Sequence, residues 1–260
     1  MEVRCVKRTK QVLIITKTTF KNWVRYPENI FGMLIYLGVV VVVGYAFSVS
    51  HRILLTDAVP YYAVGLLVYS LVGQQNGIYL QFGVWKEEIL SKPIKPDVFL
   101  LGSFFGGLLT TSLPSLILFL LVFIAYREEF QIKSPMLILL VLVLGILSAI
   151  GVGYIFASLG MRFRPQGFIV TTVSFIFSLL SGILIPLSVF PNEIRIFSYL
   201  IPYTWSIDLS RHYLLGTDTL FSPSEEFVYL FLSVVITFIV GKLYLNHTIS
   251  SIRKKKVVIR

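Results

Sequence analysis

The sequence predicts an all-α membrane protein: one domain over residues 1–260, built of six transmembrane helices, an N-terminal interfacial amphipathic helix and a re-entrant outer segment before the last helix. Three observations carry this reading. Apolar residues make up 56% of the chain and charged residues 14%, with a mean hydropathy of +0.82; a water-soluble chain of this size lacks the interior volume to hide so much apolar surface. The charges sit in short segments separated by long uncharged runs. The basic residues among those segments alternate between rich and poor along the chain.

The elements follow in order. At 100° per residue, Lys10, Lys17, Lys21 and Arg25 share one narrow arc, while Val12, Ile15, Phe20, Trp23 and Val24 spread over the opposite side and Ile14 is the misfit. A basic face with Trp and Phe opposite predicts an interfacial helix over 9–26, stopped by Tyr26-Pro27 because a residue before proline is pushed out of the α region. The pattern serves either as a lipid anchor or as a lever coupled to the first span. Lys17 and Lys21 interrupt any apolar run of the kind a cleavable signal peptide needs. Uncharged stretches of 22, 28, 29, 28 and 28 residues then lie between Glu28 and His51, Asp57 and Lys86, Asp97 and Arg127, Lys133 and Arg162, and Arg164 and Glu193. A sixth begins at Phe227. Each is long enough for the roughly 20 residues that cross a hydrocarbon core, and backbone in lipid must pair within itself as a helix. The predicted spans are 30–49, 60–82, 98–125, 136–160, 167–190 and 227–245.

Orientation follows the lysines and arginines. With the N-terminus inside, 18 of the 23 fall in cytoplasmic segments and 5 outside, whereas the 13 acidic residues divide 5 and 8. Both termini are expected in the cytoplasm of a cell-membrane protein, and the net charge of +10 reads as a topology signal with some attraction to anionic membrane lipids. Nucleic acid is not expected as a partner.

The missing chemistry is informative as well. Cys5 is the one cysteine, which leaves neither an internal disulfide nor a multi-cysteine metal site. No phosphate-binding loop is present, since Gly241-Lys242 runs into Leu243, and neither H-E-x-x-H nor G-x-S-x-G occurs. His51, His212 and His247 are scattered over both sides. The spans hold almost no ionisable side chain, against a self-sufficient ion-coupled carrier and against an intramembrane enzyme. The expectation is no catalytic residue, no metal and no cofactor in this chain: a subunit moved by something else.

Two features fit that role. Trp85, Lys86, Glu87, Glu88, Ile89 and Leu90 form a short mixed-charge helical segment ended by Pro93 and Pro96, suited to docking a soluble partner or to being a solvated turn. Ser70, Gln74, Gly77 and Gln81 in span 2, and Thr171, Ser174, Ser178 and Ser181 in span 5, recur at spacings of three and four, each set on one helix face. Such stripes either line a substrate path or pack helices together. The consecutive amides Gln74, Gln75 and Asn76 need partners if buried. After span 5, Ile196–Ile207 is uncharged, aromatic and split by Pro202, too short to cross and suited to a re-entrant or interfacial pair.

The run from Ser181 and Gly182 through Pro186 to Pro191, continuing by Tyr199, Pro202 and Asp208 to Arg211 and Leu215-Gly216, resembles the end of span 5 in the permease subunits of ABC-2 type transporters. This class includes daunorubicin-resistance-like drug exporters and polysaccharide or teichoic-acid exporters. Ile201 stands where Asn is common before the proline. The segment from Glu88 through Pro93 to Gly102 is similar to the family's stretch after span 2, without its usual Gly-Thr. The resemblance covers span 1 through span 6. It implies a dimer with a second copy or a homologous permease, resting on separate cytoplasmic ABC ATPase subunits that hold ATP and Mg. It also implies a coupling helix within 83–97 and an outer gate of which 191–216 forms part, with Pro186, Pro191, Pro202 and Arg211 as its residues. The expected function is ATP-driven export of an amphipathic, lipid-like, glycan or drug substrate by alternating access. The rivals are a stand-alone secondary transporter and a non-transporting membrane scaffold or assembly factor.

Overall fold

The computed structural model describes residues 2–29, the single positions 31, 32, 35, 38 and 42, and residues 55–91, 95–163, 167–183, 186–187 and 190–258. The regular elements are helices: α1 (Glu2–Arg25), α2 (Leu55–Val72), α3 (Gln75–Val84), α4 (Lys86–Ser91), α5 (Pro96–Ala125), a 3-10 turn (Arg127–Glu129), α6 (Pro135–Arg162), α7 (Gly167–Leu180), α8 (Asn192–Tyr199), α9 (Thr204–Leu215) and α10 (Pro223–Val258). No strand occurs among the described residues. Among the described residues three helices, α5, α6 and α10, are long and apolar enough to cross a membrane. Most of the first predicted span, 30–49, lies outside the described residues.

Local sequence sets the boundaries. Pro96 and Pro135 open α5 and α6 at positions where a missing N–H costs nothing. Before α10, Ser222 and Glu225 form a reciprocal cap: the Ser222 N–H donates to Glu225 Oε2 at 3.0 Å and the Glu225 N–H donates to Ser222 Oγ at 3.4 Å. The 60–82 run is divided into α2 and α3 at Gly73-Gln74, and α10 continues well past residue 245. Gly216 ends α9 with φ +72°, in the left-handed region a Cβ would strain. The carbonyls of Tyr213 and Leu214, left over at that end, accept the backbone N–H groups of Lys133 and Gln131 at 3.1 and 2.9 Å.

The centre of the bundle is α6, packed against α10, α3 and α9. Small residues permit the approach: Gly151 lies against Thr237 of α10, and Gly160 against the Tyr79 carbonyl of α3. At one end Lys242 Nζ lies 3.2 Å from Asp97 Oδ2, tying α10 to the start of α5; both side chains are well exposed, so the pair adds little stability.

Helix α1 does not stand apart from the bundle. A Cβ on Gly102 of α5 would sit 2.6 Å from Ile15 Cβ, and one on Gly106 2.6 Å from Thr19 Cβ. Thr16 Oγ1 donates to the Gly102 carbonyl at 3.2 Å. The pairings ascend together in both helices, so α1 runs parallel to α5 with its Ile15–Thr19 side in a groove floored by the two glycines. Lys10, Lys17, Lys21 and Arg25 remain exposed, and Tyr26 breaks the helix ahead of Pro27.

Candidate functional site

The site begins where α2 breaks. Gly73 N–H bonds the Tyr69 carbonyl at 2.6 Å and Gln74 caps the next helix. Successive residues on a helical turn point about 100° apart, so the three amides at this elbow fan out to three different elements. Gln74 Nε2 donates to the Ser70 carbonyl at 2.7 Å and to Thr111 Oγ1 of α5 at 2.5 Å. Gln75, fully buried, donates through Nε2 to the Tyr203 hydroxyl at the start of α9, at 3.2 Å. Asn76 Oδ1 accepts the Ser174 hydroxyl of α7. The absence of a side chain at Gly107 makes room for the Gln74 amide, since a Cβ there would lie 2.5 Å from Gln74 Oε1.

Beside the elbow lies a cavity of about 300 Å³. Ser70 and Gln74 form one wall, Thr110, Thr111 and Ser115 of α5 another, and Trp23 of α1 closes a third side. Pro114, inside α5, also lines it.

A second cluster sits at the far end of α7. Gly182 turns the chain with φ +82°, and Leu187 folds back within 2.9 Å of where a Gly182 Cβ would stand. The carbonyls exposed by this turn are taken by Arg211 of α9, which is 1% exposed. Its Nη1 donates to the Gly182 carbonyl at 2.6 Å, Nη2 to the Ile183 carbonyl at 2.9 Å and Nε to the Tyr61 carbonyl of α2 at 3.1 Å. The Tyr61 ring lies 3.6 Å beneath the guanidinium carbon. A buried cation is stable only when so paired, and the negative end of the α7 dipole favours it here. Arg211 thus clasps α9, α7 and α2 at one point.

One turn earlier, the Asp208 carboxyl accepts the Leu220 N–H at 3.2 Å, while buried Glu226 accepts the Phe221 N–H at 3.2 Å. The two carboxyls pin the 217–222 loop between α9 and α10 and face each other. Burial pushes the Asp208 carboxyl above the ordinary carboxylate range, against the pull of the Leu220 N–H and Arg211. Phe221 of the same loop meets Tyr199 at 5.5 Å and Tyr229 at 5.7 Å, so aromatic rings bind the loop to α8 and α10.

The sequence-derived residues divide among these places. Ser70 and Gln74 share the cavity, whereas Gly77 is exposed, with no described atom within 4 Å of where its Cβ would stand, and Gln81, half-buried, is not among the described residues that line the cavity. The two stripes meet through Asn76 and Ser174. Ser178 and Ser181 donate back to the carbonyls of Phe175 and Ser178; Thr171 lies in α7, its side chain outside what the structure describes. Pro191 caps α8 and Pro202 lies in the turn between α8 and α9, while Pro186 is half-buried between Gly182 and α8. In the α4 region, Ile89 is buried and Leu90 packs on the core, Trp85 and Glu87 are exposed, and Lys86 and Glu88 are intermediate. Sequence reasoning did not reach Thr110, Thr111 and Ser115, Tyr61 or Tyr203. The first three left a signal, a hydroxyl cluster around a proline inside an apolar run; the tyrosines left none.

Comparison with known families matches residues 10–215 to the family model described as ABC-2 type transporter. No curated protein matches the chain.

Proposed function

Because the chain belongs to the ABC-2 type transporter family, we propose that it is the membrane-spanning permease of an ATP-driven exporter, six spans deep, paired with a second permease and resting on separate cytoplasmic ABC ATPase subunits. ATP and Mg belong to those partners, and no catalytic step falls to this chain. The family match carries the reading, and the elbow supplies a physical route for it.

In this reading α4, with Trp85 and Glu87 outward and Ile89 anchored inward, takes up ATPase motion as the coupling helix. It leads directly back into α3, whose first residues hold α5, α9 and α7 through three amides. A displacement of α3 is therefore felt at Tyr203, the residue preceding α9, and along α9 at the Arg211 clasp. Helices α8 and α9 form the re-entrant outer gate, with Pro186, Pro191 and Pro202 setting its turns, and α1, packed alongside α5, turns its basic face away from the bundle, with both termini cytoplasmic. Non-helical backbone at the elbow and at the Gly182 turn is tolerable in a membrane because side chains take up its carbonyls. The cargo is amphipathic: lipid-like, glycan-bearing or a drug, moved outward by alternating access.

Purification with and without the ATPase subunit tests the reading. Substrate-dependent ATPase stimulation in the complex is expected, and Glu88→Arg is expected to weaken assembly or uncouple hydrolysis from transport. Ion-gradient-driven transport by the isolated chain would overturn the reading in favour of a secondary carrier. A full complex whose hydrolysis ignores every substrate would overturn it in favour of a scaffold.

A further inference from the structure

The cavity beside the elbow is lined on its α2 and α5 walls by serine and threonine hydroxyls and the Gln74 amide. No charged side chain is among the described residues that line it. Its serine and threonine hydrogens point away, into helix carbonyls: Ser70 to Leu67 at 2.7 Å, Thr110 to Gly107 at 2.8 Å, Thr111 to Ser70 at 2.9 Å and Ser115 to Thr111 at 3.3 Å; the Asn29 amide, also in the lining, donates to the Trp23 carbonyl at 3.1 Å. Gln74 Nε2 is occupied twice. What these groups turn to the cavity is oxygen lone pairs.

The backbone adds more of the same. Pro114 has no N–H, so the Thr110 carbonyl four residues earlier lacks its helical donor. Helix α2 ends at Val72, beside the cavity-lining Gly73; the Tyr69 and Ser70 carbonyls at this end already accept bonds, but the helix C-terminus still carries a partial negative charge. Trp23 and Tyr69 supply aromatic surface, to which cations are drawn. A break in a helix beside such a cavity is the arrangement by which membrane proteins build ligand sites at depth.

From this lining we infer that the cavity receives the protonated amine of an amphipathic molecule. An ammonium head brings three donors and no acceptor, the complement of a wall of lone pairs. An ionised phosphate or sulfate head brings acceptors and a charge of the wrong sign, and each sugar hydroxyl brings two acceptor lone pairs with its one donor. The inference deepens the permease reading and rests on it, naming the class of head group that this one chain selects.

The test needs no ATPase, so its failure is separable from failure of the permease reading. Of the three tryptophans, Trp23 alone lines the cavity, and the Trp85→Phe/Trp205→Phe protein, excited selectively at tryptophan, makes it the sole tryptophan reporter. In phosphatidylcholine nanodiscs this protein is titrated with decylammonium, decyl β-glucoside and decyl sulfate, which share one tail. A saturable Trp23 response is expected for decylammonium, weaker for the glucoside and absent for the sulfate. Thr111→Val and Ser115→Ala are each expected to weaken decylammonium binding by roughly 2- to 10-fold, the worth of one net hydrogen bond. Ser115→Ala breaks no tie between helices and keeps the test valid if Thr111→Val unfolds. Sulfate or glucoside binding as tight as the amine, or unchanged amine affinity in a folded Ser115→Ala protein, would overturn the inference.

Discussion

Replacing Gly65 by alanine sets two physical effects against each other with opposite signs. Gly65 lies inside α2, where alanine is favoured over glycine by about 1 kcal/mol on helix propensity alone. The Arg211 clasp reverses this. A Cβ at Gly65 would overlap Nη2 of Arg211, lie 3.1 Å from its Cζ and stand 3.4 Å from the Ile183 carbonyl. A terminal side-chain group usually gives way, but this one is buried and held by three carbonyls and a ring. Shifting it breaks the bonds to Gly182 and Ile183. Charge-assisted hydrogen bonds contribute about 1.5–3 kcal/mol each, so losing two and gaining the propensity term leaves a net destabilisation of about 2–5 kcal/mol. The measurement is reversible unfolding of the purified protein in mixed micelles, on four proteins: wild type, Gly65→Ala, Arg211→Met and the double variant. Coupled sites are non-additive, so Gly65→Ala should turn neutral or stabilising once Arg211 is gone. A Gly65→Ala protein as stable as wild type with Arg211 present would refute the clasp.

Two further outcomes follow from other contacts. Gly106→Val should lift α1 from α5, because its side chain would collide with Thr19; protease cleavage after the exposed Lys17 and Lys21 should accelerate, and an unchanged rate would count against the groove. Asp208→Asn keeps an acceptor for the Leu220 N–H but cannot ionise. Because burial raises the Asp208 carboxyl in the folded protein, its contribution is full below the ordinary value of about 4 and is lost as pH rises through the raised one. The Tm of Asp208→Asn relative to wild type should therefore climb from pH 4 to pH 8, and a difference flat with pH would refute the assignment.

Much of this arrangement was legible in one dimension, and the remainder was not for reasons that can be named. Pro96, Pro135, Tyr26-Pro27 and Gly216 act on their own backbone, so the helix ends they set are local facts. The basic arc of α1 was legible too, because helical periodicity alone places Lys10, Lys17, Lys21 and Arg25 together. The groove that receives the other side was not, since Gly102 and Gly106 lie more than 80 residues away and nothing in α1 names them. The need of Gln74, Gln75 and Asn76 for partners could be stated from burial cost, yet the identity of those partners, Thr111, Tyr203 and Ser174, depends on which helices meet. The break at Gly73 carried no proline or charge to announce it.

By itself, the sequence determined that this is a helical membrane chain and, to within two residues, where α5 and α6 start and stop. Those properties arise from hydropathy, charge placement and backbone stereochemistry, which act at short range. Only the tertiary structure decided that Ser70 and Gln74 share a cavity with α5, that Gln75 reaches α9, and that Arg211 holds the end of α7. Hydrogen-bond partners and cavity walls come from segments far apart in the chain, and packing alone brings their atoms within 3 Å or so of one another.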